Sequence, residues 1–211
     1  MKIYTVPDGQ LDMNGYIITK NNKDAIIIDC GGNLVIQEAE KQNLNITYML
    51  LTHGHFDHIV GCHALMQRGV KIGILEQEVE LALSSKNEIA FCIDKQDRLE
   101  IEKLMQHGKF DFCFQDGDKL NLAGMDIEVF ATPGHTIGSC CFLIENHLFT
   151  GDTLFYECVG RTDLATGNMQ QMQQSIDKLL LLNEDIIVHP GHGWSTTIGH
   201  ERAHNPISRY R

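Results

Sequence analysis

Residues 52–63 read Thr-His-Gly-His-Phe-Asp-His-Ile-Val-Gly-Cys-His, which places four of the chain's 11 histidines and one aspartate in twelve positions. The stretch follows Ile46-Thr47-Tyr48-Met49-Leu50-Leu51, whose β-branched and apolar residues predict a strand over 46–52. Helical spacing follows over 57–68. His53 and His55 stand two apart in near-extended chain, so their side chains project to one side. Asp57 and His58 fall where the chain turns into the helix, and there Asp57 has the alternative job of an N-cap.

Three further residues repeat this local setting. His135 follows a strand predicted over 125–131, in Thr-Pro-Gly-His-Thr. Asp152 follows one at 147–150, in Thr-Gly-Asp-Thr, and His192 follows one at 186–189, in His-Pro-Gly-His-Gly. A glycine precedes each, which lets the backbone turn tightly and project the next side chain from the strand end. A single histidine at a strand end is an ordinary structural residue. Four strand ends carrying His and Asp form a ligand pattern, because apolar neighbours force such groups to neutralise or to find a shared partner. A metal ion satisfies them together. Imidazole mixed with carboxylate suits zinc, iron or manganese, and no cysteine cluster of a closed structural zinc site is present.

Around these points, strands are predicted over 2–6, 15–19, 25–29, 71–75, 118–122 and 139–144. Helical stretches are predicted over 34–42, after residue 75, loosely through 84–107, and over 169–182 and 199–204. Hairpins mixed with crossovers imply an α/β fold of two sheets with helices outside them. No linker or repeat interrupts the chain, so one domain over 1–211 is expected.

A content of 43% hydrophobic and 21% charged residues is that of a soluble globular protein. The net charge of −11 repels phosphate backbones and anionic lipid, so no nucleic-acid or membrane partner is expected. No run approaches a membrane span, and the N-terminus lacks the apolar stretch of a signal peptide. Seven cysteines without a C-x-x-C pair read as small core residues in a reducing, cytoplasmic setting.

The series His-x-His-x-Asp-His at 53–58, then His135, Asp152 and His192, resembles the ligand set of metallo-β-lactamase-fold hydrolases. Gly-Asp-Thr-Leu-Phe at 151–155, Gly-Arg-Thr-Asp at 160–163 and the tail from Pro190 to Pro206 are similar to the short glyoxalase II-like (hydroxyacylglutathione hydrolase-like) members. The resemblance implies a four-layer αββα sandwich with the site at one edge of the two sheets. It implies two divalent metal ions, zinc first, with iron or manganese as substitutes. His53, His55 and His135 would hold one, Asp57, His58 and His192 the other, and Asp152 would bridge them.

The activity implied is hydrolysis of small thioesters such as S-lactoylglutathione. Metal binding lowers the pKa of water from about 15.7 to about 7, so a bridging hydroxide would attack the carbonyl, oriented by Asp57 or Asp152. A thiol of pKa ~8.5 leaves with little help from an acid. Phe155 and Tyr156 are expected to wall the cleft. Arg161 is expected either to meet a substrate carboxylate or to pair with Asp163. Full-length glyoxalase II enzymes add a C-terminal helical domain that binds glutathione, whereas residues 193–211 are all that follow His192 here. Trp194 also stands where relatives carry a small residue or proline. Weak affinity for the thiol, or poor discrimination of it, is therefore expected.

Three rival readings exist. A mononuclear iron persulfide dioxygenase of the same fold would use only some of the ligands, and a lactonase-type hydrolase would use them all on another acyl group. His200-Glu201-Arg202-Ala203-His204 is a literal H-E-x-x-H, the spacing of a helical zinc protease site. Pro206 ends that helix and no third ligand follows, so Glu201 is read as a helix-surface or salt-bridge residue. His189 is expected in the core or behind a ligand, and His63, His107 and His147 in packed or solvated places.

Overall fold

Isoleucines at alternating positions set the layers. In the computed structural model, which describes residues 1–207, β1 (Lys2–Asp8), β2 (Met13–Thr19) and β3 (Asp24–Ile28) form an antiparallel meander. Parallel strands β4 (Asn45–Leu50), β5 (Lys71–Leu75) and β6 (Phe112–Phe114) extend it in the order β1-β2-β3-β4-β5-β6. Ile17, Ile27, Met49 and Ile72 face one side, and Tyr16, Ile18, Ile26, Ile28 and Leu50 the other. Both faces are covered, which is why these strands read as unbroken apolar runs.

The second sheet contains β7 (Lys119–Leu122), β8 (Met125–Ala131), β9 (Cys140–Ile144), β10 (His147–Gly151), β13 (Ile187–Pro190) and β14 (Thr196–Thr197). Its order is β14-β13-β10-β9-β8-β7, and β10 and β13 run parallel. A small separate hairpin joins β11 (Leu154–Phe155) to β12 (Cys158–Val159). Met125, Ile127, Val129, Phe142 and Phe149 of the second sheet meet Tyr16, Ile18, Ile26 and Leu50 of the first in the middle layer.

Helices α1 (Leu34–Lys41), α2 (Phe56–Ile59), α3 (Cys62–Gln67), α4 (Val79–Ala82) and α5 (Lys95–His107) cover the outer face of the first sheet. Helices α6 (Met169–Leu179) and α7 (Ile198–His204) cover the second. The expected αββα sandwich is present. Among the described residues no helix is long and apolar enough to cross a membrane. Cys30, Cys62, Cys92, Cys140 and Cys141 are buried and Cys113 and Cys158 exposed, all as free thiols.

Three departures from the sequence pattern have physical causes. The helix over 57–68 breaks into α2 and α3, because the Gly61 N–H donates to the Cys30 carbonyl (2.9 Å) and Cys30 N–H to the His58 carbonyl (3.0 Å). The turn carrying Asp57 and His58 is thereby fastened to the end of β3. The stretch 84–107 resolves into 3-10 turns at Ser85–Asn87 and Ile89–Phe91, then α5, whose N-cap Asp94 accepts from Gln96 N and Asp97 N. Strands β6, β11, β12 and β14 span two or three residues each, so pairing partners rather than local pattern define them.

Candidate metal centre

The C-terminal ends of β4, β8, β10 and β13 meet at one edge of the sandwich, and each delivers ligand-type side chains. Parallel pairing aligns Gly151 with Pro190, so Asp152 and His192 leave neighbouring strands side by side. Gly151 has φ +47°, and a Cβ there would lie 2.3 Å from Thr52 Oγ1. A Cβ on Gly191 would lie 2.3 Å from Asp152 Oδ1. Glycine alone permits this approach. The turn at 190–193 is held from the other sheet: Asn14 Nδ2 donates to the Pro190 and Gly193 carbonyls (3.1 and 3.0 Å), and the Tyr16 hydroxyl to Pro190 O (2.6 Å). Asp57 is not an N-cap, since His55 occupies that position with no capping bond.

Hydrogen bonds behind the histidines fix which nitrogen faces inward. His58 Nδ1–H donates to Asp29 Oδ2 (2.8 Å), His135 Nδ1–H to the Arg161 carbonyl (2.7 Å) and His192 Nδ1–H to the Leu11 carbonyl (3.2 Å). Thr52 Oγ1 donates to Asp29 Oδ2 (2.6 Å), so it accepts from His53 Nδ1–H at 3.1 Å. Four Nε2 atoms are thus turned into the site, and His55 brings Nδ1 to 2.8 Å from His135 Nε2. Outer partners that fix the tautomer in this way are the usual support of metal-bound histidine.

The inward atoms fall into sets of three, all within 4.8 Å of one another: His53, His55 and His135; His53, His58 and Asp152; and Asp57, His58 and His192. Asp152 reaches both sides, with Oδ2 3.5 Å from His135 Nε2 and Oδ1 3.4 Å from His58 Nε2. Asp57 Oδ2 lies 3.3 Å from His192 Nε2 and 3.6 Å from His58 Nε2. His53 Nε2, His55 Nε2, His58 Nε2 and Asp152 Oδ1 are buried without a hydrogen-bond partner. Orphaned buried polar atoms of this kind are costly unless a cation gathers them. The residues fit a metal centre.

The electrostatics agree. Burial, aided by His58, holds His53 well below the ordinary imidazole range, and burial takes His55 to about 3. Both are neutral and ready to bind. Burial alone would raise Asp152, but His58, His135 and His53 take it well below the usual carboxylate range. Burial opposes charge on His58 as well, yet Asp57, Asp29 and Asp152 outweigh it and raise His58. Its extra proton stands where a cation would stand, and binding metal releases it.

Two carboxylates that matter here carry no ligand motif. Asp29 receives Thr52 N–H (2.8 Å), the Thr52 hydroxyl and His58 Nδ1–H, and so orients two of the candidate ligands. It follows an apolar strand directly, the same pattern that marks Asp152. Glu78 is fully buried, accepting from Gly54 N–H (2.8 Å) and Gly138 N–H (2.7 Å). It therefore braces the 53–55 loop against the 135–139 loop.

Burial pushes Glu78 up to about 7 from 4.5. Between those values the folded chain keeps a proton that the unfolded chain has lost, so this group's stabilisation is full below pH 4.5 and disappears as pH rises to 7. In metal-free protein, the stability of wild type relative to Glu78→Gln is expected to fall by roughly 3 kcal/mol from pH 4.5 to 7, at about 1.4 kcal/mol per unit. Urea unfolding across that range measures it. A gap independent of pH would mean that Glu78 does not titrate there.

A cleft of about 400 Å³ opens above the cluster, with His55, Asp57, His135, Asp152 and His192 on its floor. Arg161 lines the cleft, but its guanidinium is bidentate to Asp163 (2.7 and 2.8 Å). Phe155 and Tyr156 are not among the lining residues. Phe155 meets His192 in an edge-type ring contact (centroids 6.2 Å), while Tyr156 stacks on His200 (5.0 Å) and meets Trp194 (6.1 Å). Phe56, Phe91 and Ile93 form the walls.

The H-E-x-x-H residues lie apart from the ligand groups found among the described residues. His200 and His204 stack on each other (4.4 Å), and His200 Nε2 meets Glu157 Oε1 at 3.0 Å. Glu201 corrects the surface reading: it is fully buried, accepting from the Thr196 hydroxyl (2.7 Å), Asn205 Nδ2 (2.8 Å) and Glu157 N–H (3.0 Å). Glu201→Gln therefore costs stability, about 1–3 kcal/mol for a donor left unpaired, rather than being silent. His204→Ala is expected to keep near-normal metal content and turnover while His58→Ala loses both. The reverse pattern would move the site to α7. His189 is a core residue stacked on Phe149 (4.9 Å), His147 stacks on His189 (5.1 Å), and His63 pairs with Glu100 (2.9 Å).

A family model described as the metallo-beta-lactamase superfamily matches residues 9–192. The hydroxyacylglutathione hydrolase GloC of Haemophilus influenzae is 37% identical, over 98% of this chain and 98% of that one. Among solved structures, the BLEG-1 B3 metallo-beta-lactamase superposes with a TM-score of 0.86 at 30% identity, covering 98% of this chain and 99% of that one. TTHA1623 in a di-iron-bound form superposes with a TM-score of 0.80 at 27% identity, covering 97% and 99%.

Proposed function

The chain belongs to the metallo-β-lactamase superfamily, and from that premise we propose that it is a two-metal hydrolase, zinc-dependent, acting on small thioesters such as S-lactoylglutathione. The observation that carries the reading is Asp152, whose two oxygens face two different histidine sets. A mononuclear iron dioxygenase needs only one set, and the second, Asp57 with His58 and His192, favours a pair of ions.

Divalent ions bound there supply a nucleophilic oxygen at neutral pH and a Lewis acid for the carbonyl. The chain's own part is to hold and orient. His53, His55 and His135 would hold one ion, Asp57, His58 and His192 the other, and Asp152 both. Asp57 turns Oδ2 toward His192 and His58 and lines the cleft, so its carboxylate would accept a proton from the attacking water and orient it. Apolar walls limit water around the reacting carbonyl. Among the described residues, the cleft side chains outside the cluster include no histidine or cysteine to act as acid. A thiolate leaving group, with thiol pKa ~8.5, needs none. The GloC relative's name supports the same substrate class.

With the metal-replete protein and a panel of thioesters, lactones, β-lactams and phosphodiesters, a small thioester is expected to turn over faster than any β-lactam or phosphodiester. Phosphodiester turnover without thioester turnover would refute the substrate class. Oxygen uptake on glutathione persulfide would favour the dioxygenase.

A further inference from the structure

Three of the large apolar side chains that reach the surface stand together beside the metal cluster. Leu11 (50% exposed), Phe91 (58%) and Ile93 (88%) all line the cleft. They come from two distant segments, the β1–β2 turn and the turn that precedes α5. Gln10 joins those segments with its side-chain amide: Nε2 donates to the Phe91 carbonyl (2.8 Å) and Oε1 accepts from Ile93 N–H (2.8 Å). The Leu11 carbonyl in turn receives His192 Nδ1–H, so the apolar wall is fixed relative to the ligand cluster. These bonds hold the three side chains as one wall beside the cluster.

Charge on the cleft points the same way. Outside the cluster, its charged side chains are Glu88 and Arg161, and Arg161 is neutralised by its bidentate pair with Asp163. Among the described residues no lysine lines this cleft, Lys95 lying in the neighbouring recess that shares Gln10, Leu11 and Ile93, and the chain carries a net charge of −11. A glutathione thioester brings two carboxylates and one ammonium. Those carboxylates would lose water against Leu, Phe and Ile, with no unpaired cation among the described residues of the cleft itself to receive them.

We propose that Leu11, Phe91 and Ile93 form a specificity subsite for an uncharged, apolar thiol portion of the substrate, so that neutral apolar thioesters are preferred over glutathione thioesters. This rests on the thioester hydrolase reading and names the half of the substrate that the reading leaves general. The step is hydrolysis: water adds to the carbonyl, the C–S bond breaks, and the apolar thiolate leaves and takes up a proton.

The test compares lactoyl thioesters of benzyl mercaptan and of glutathione on the metal-loaded protein. Burial of one aromatic group predicts at least ~10-fold higher kcat/KM for the benzyl thioester. The exposed double variant Phe91→Ser/Ile93→Ser should bring that ratio towards one, through KM, with metal content retained as the check on folding. Binding provides a second readout: calorimetry should give a lower Kd for benzyl methyl sulfide than for S-methylglutathione, and the double variant should remove the difference. Equal or better use of the glutathione thioester overturns the subsite and leaves the thioesterase reading standing. A benzyl preference that survives in the double variant also overturns it. Hydrolysis of neither thioester overturns the underlying reading, and this one with it.

Discussion

Asp152→Asn is expected to lower turnover by ~10³-fold or more and to cut bound metal from about two ions per chain towards one. The substitution is nearly isosteric, so packing survives. It removes the buried negative charge and replaces one oxygen with an NH₂ group, whose hydrogens would face one of the two histidine sets. Asp152 Oδ1 lies 3.4 Å from His58 Nε2 and Oδ2 3.5 Å from His135 Nε2, so either orientation of the amide spoils one side. Elemental analysis and a thioester assay on the same preparation measure both effects. Full activity in the variant would remove Asp152 from the centre of the mechanism.

The second large effect is expected at Asp29, which binds no metal. Asp29→Asn keeps a residue type tolerant of the left-handed backbone found there (φ +55°) and keeps one acceptor oxygen. One of the donors from Thr52 and His58 then faces an NH₂ group. His58 loses the acceptor that fixes its tautomer, and metal affinity is expected to weaken ~10–100-fold. A metal Kd unchanged in the variant would show that the tautomer is set elsewhere. A weakened Kd with far-ultraviolet circular dichroism intact separates this from misfolding.

How much of this was legible in the sequence follows from the range of the interactions. His53, His55, His135, Asp152 and His192 were readable as ligand candidates because each follows an apolar strand, and Asp57 and His58 because they continue the first of these clusters into α2; the structure brings all seven together. The strands themselves were readable because sheets covered on both faces leave continuous apolar runs. Glu78 was not readable: in Glu-Gln-Glu-Val-Glu it looks like its neighbours Glu76 and Glu80, and only the fold buries it between Gly54 and Gly138. Asp29 gave the strand-end signal but had no histidine beside it in sequence. Phe91 and Ile93 lie in a stretch with no clear period, because short 3-10 turns carry none, and their position on the cleft depends on Gln10 some eighty residues away. Glu201 sat inside a recognisable motif that suggested the wrong environment, since burial of one helix face by Thr196 and Asn205 is a tertiary fact.

The pairing of two ligand sets through one carboxylate is most directly tested by titrating metal-stripped protein with Zn²⁺ in a calorimeter at neutral pH. Saturation at two ions per chain, with protons released as His58 gives up its charge, is the predicted result. Saturation at one ion per chain, or no binding tighter than that of a variant lacking His53 and His58, would contradict it.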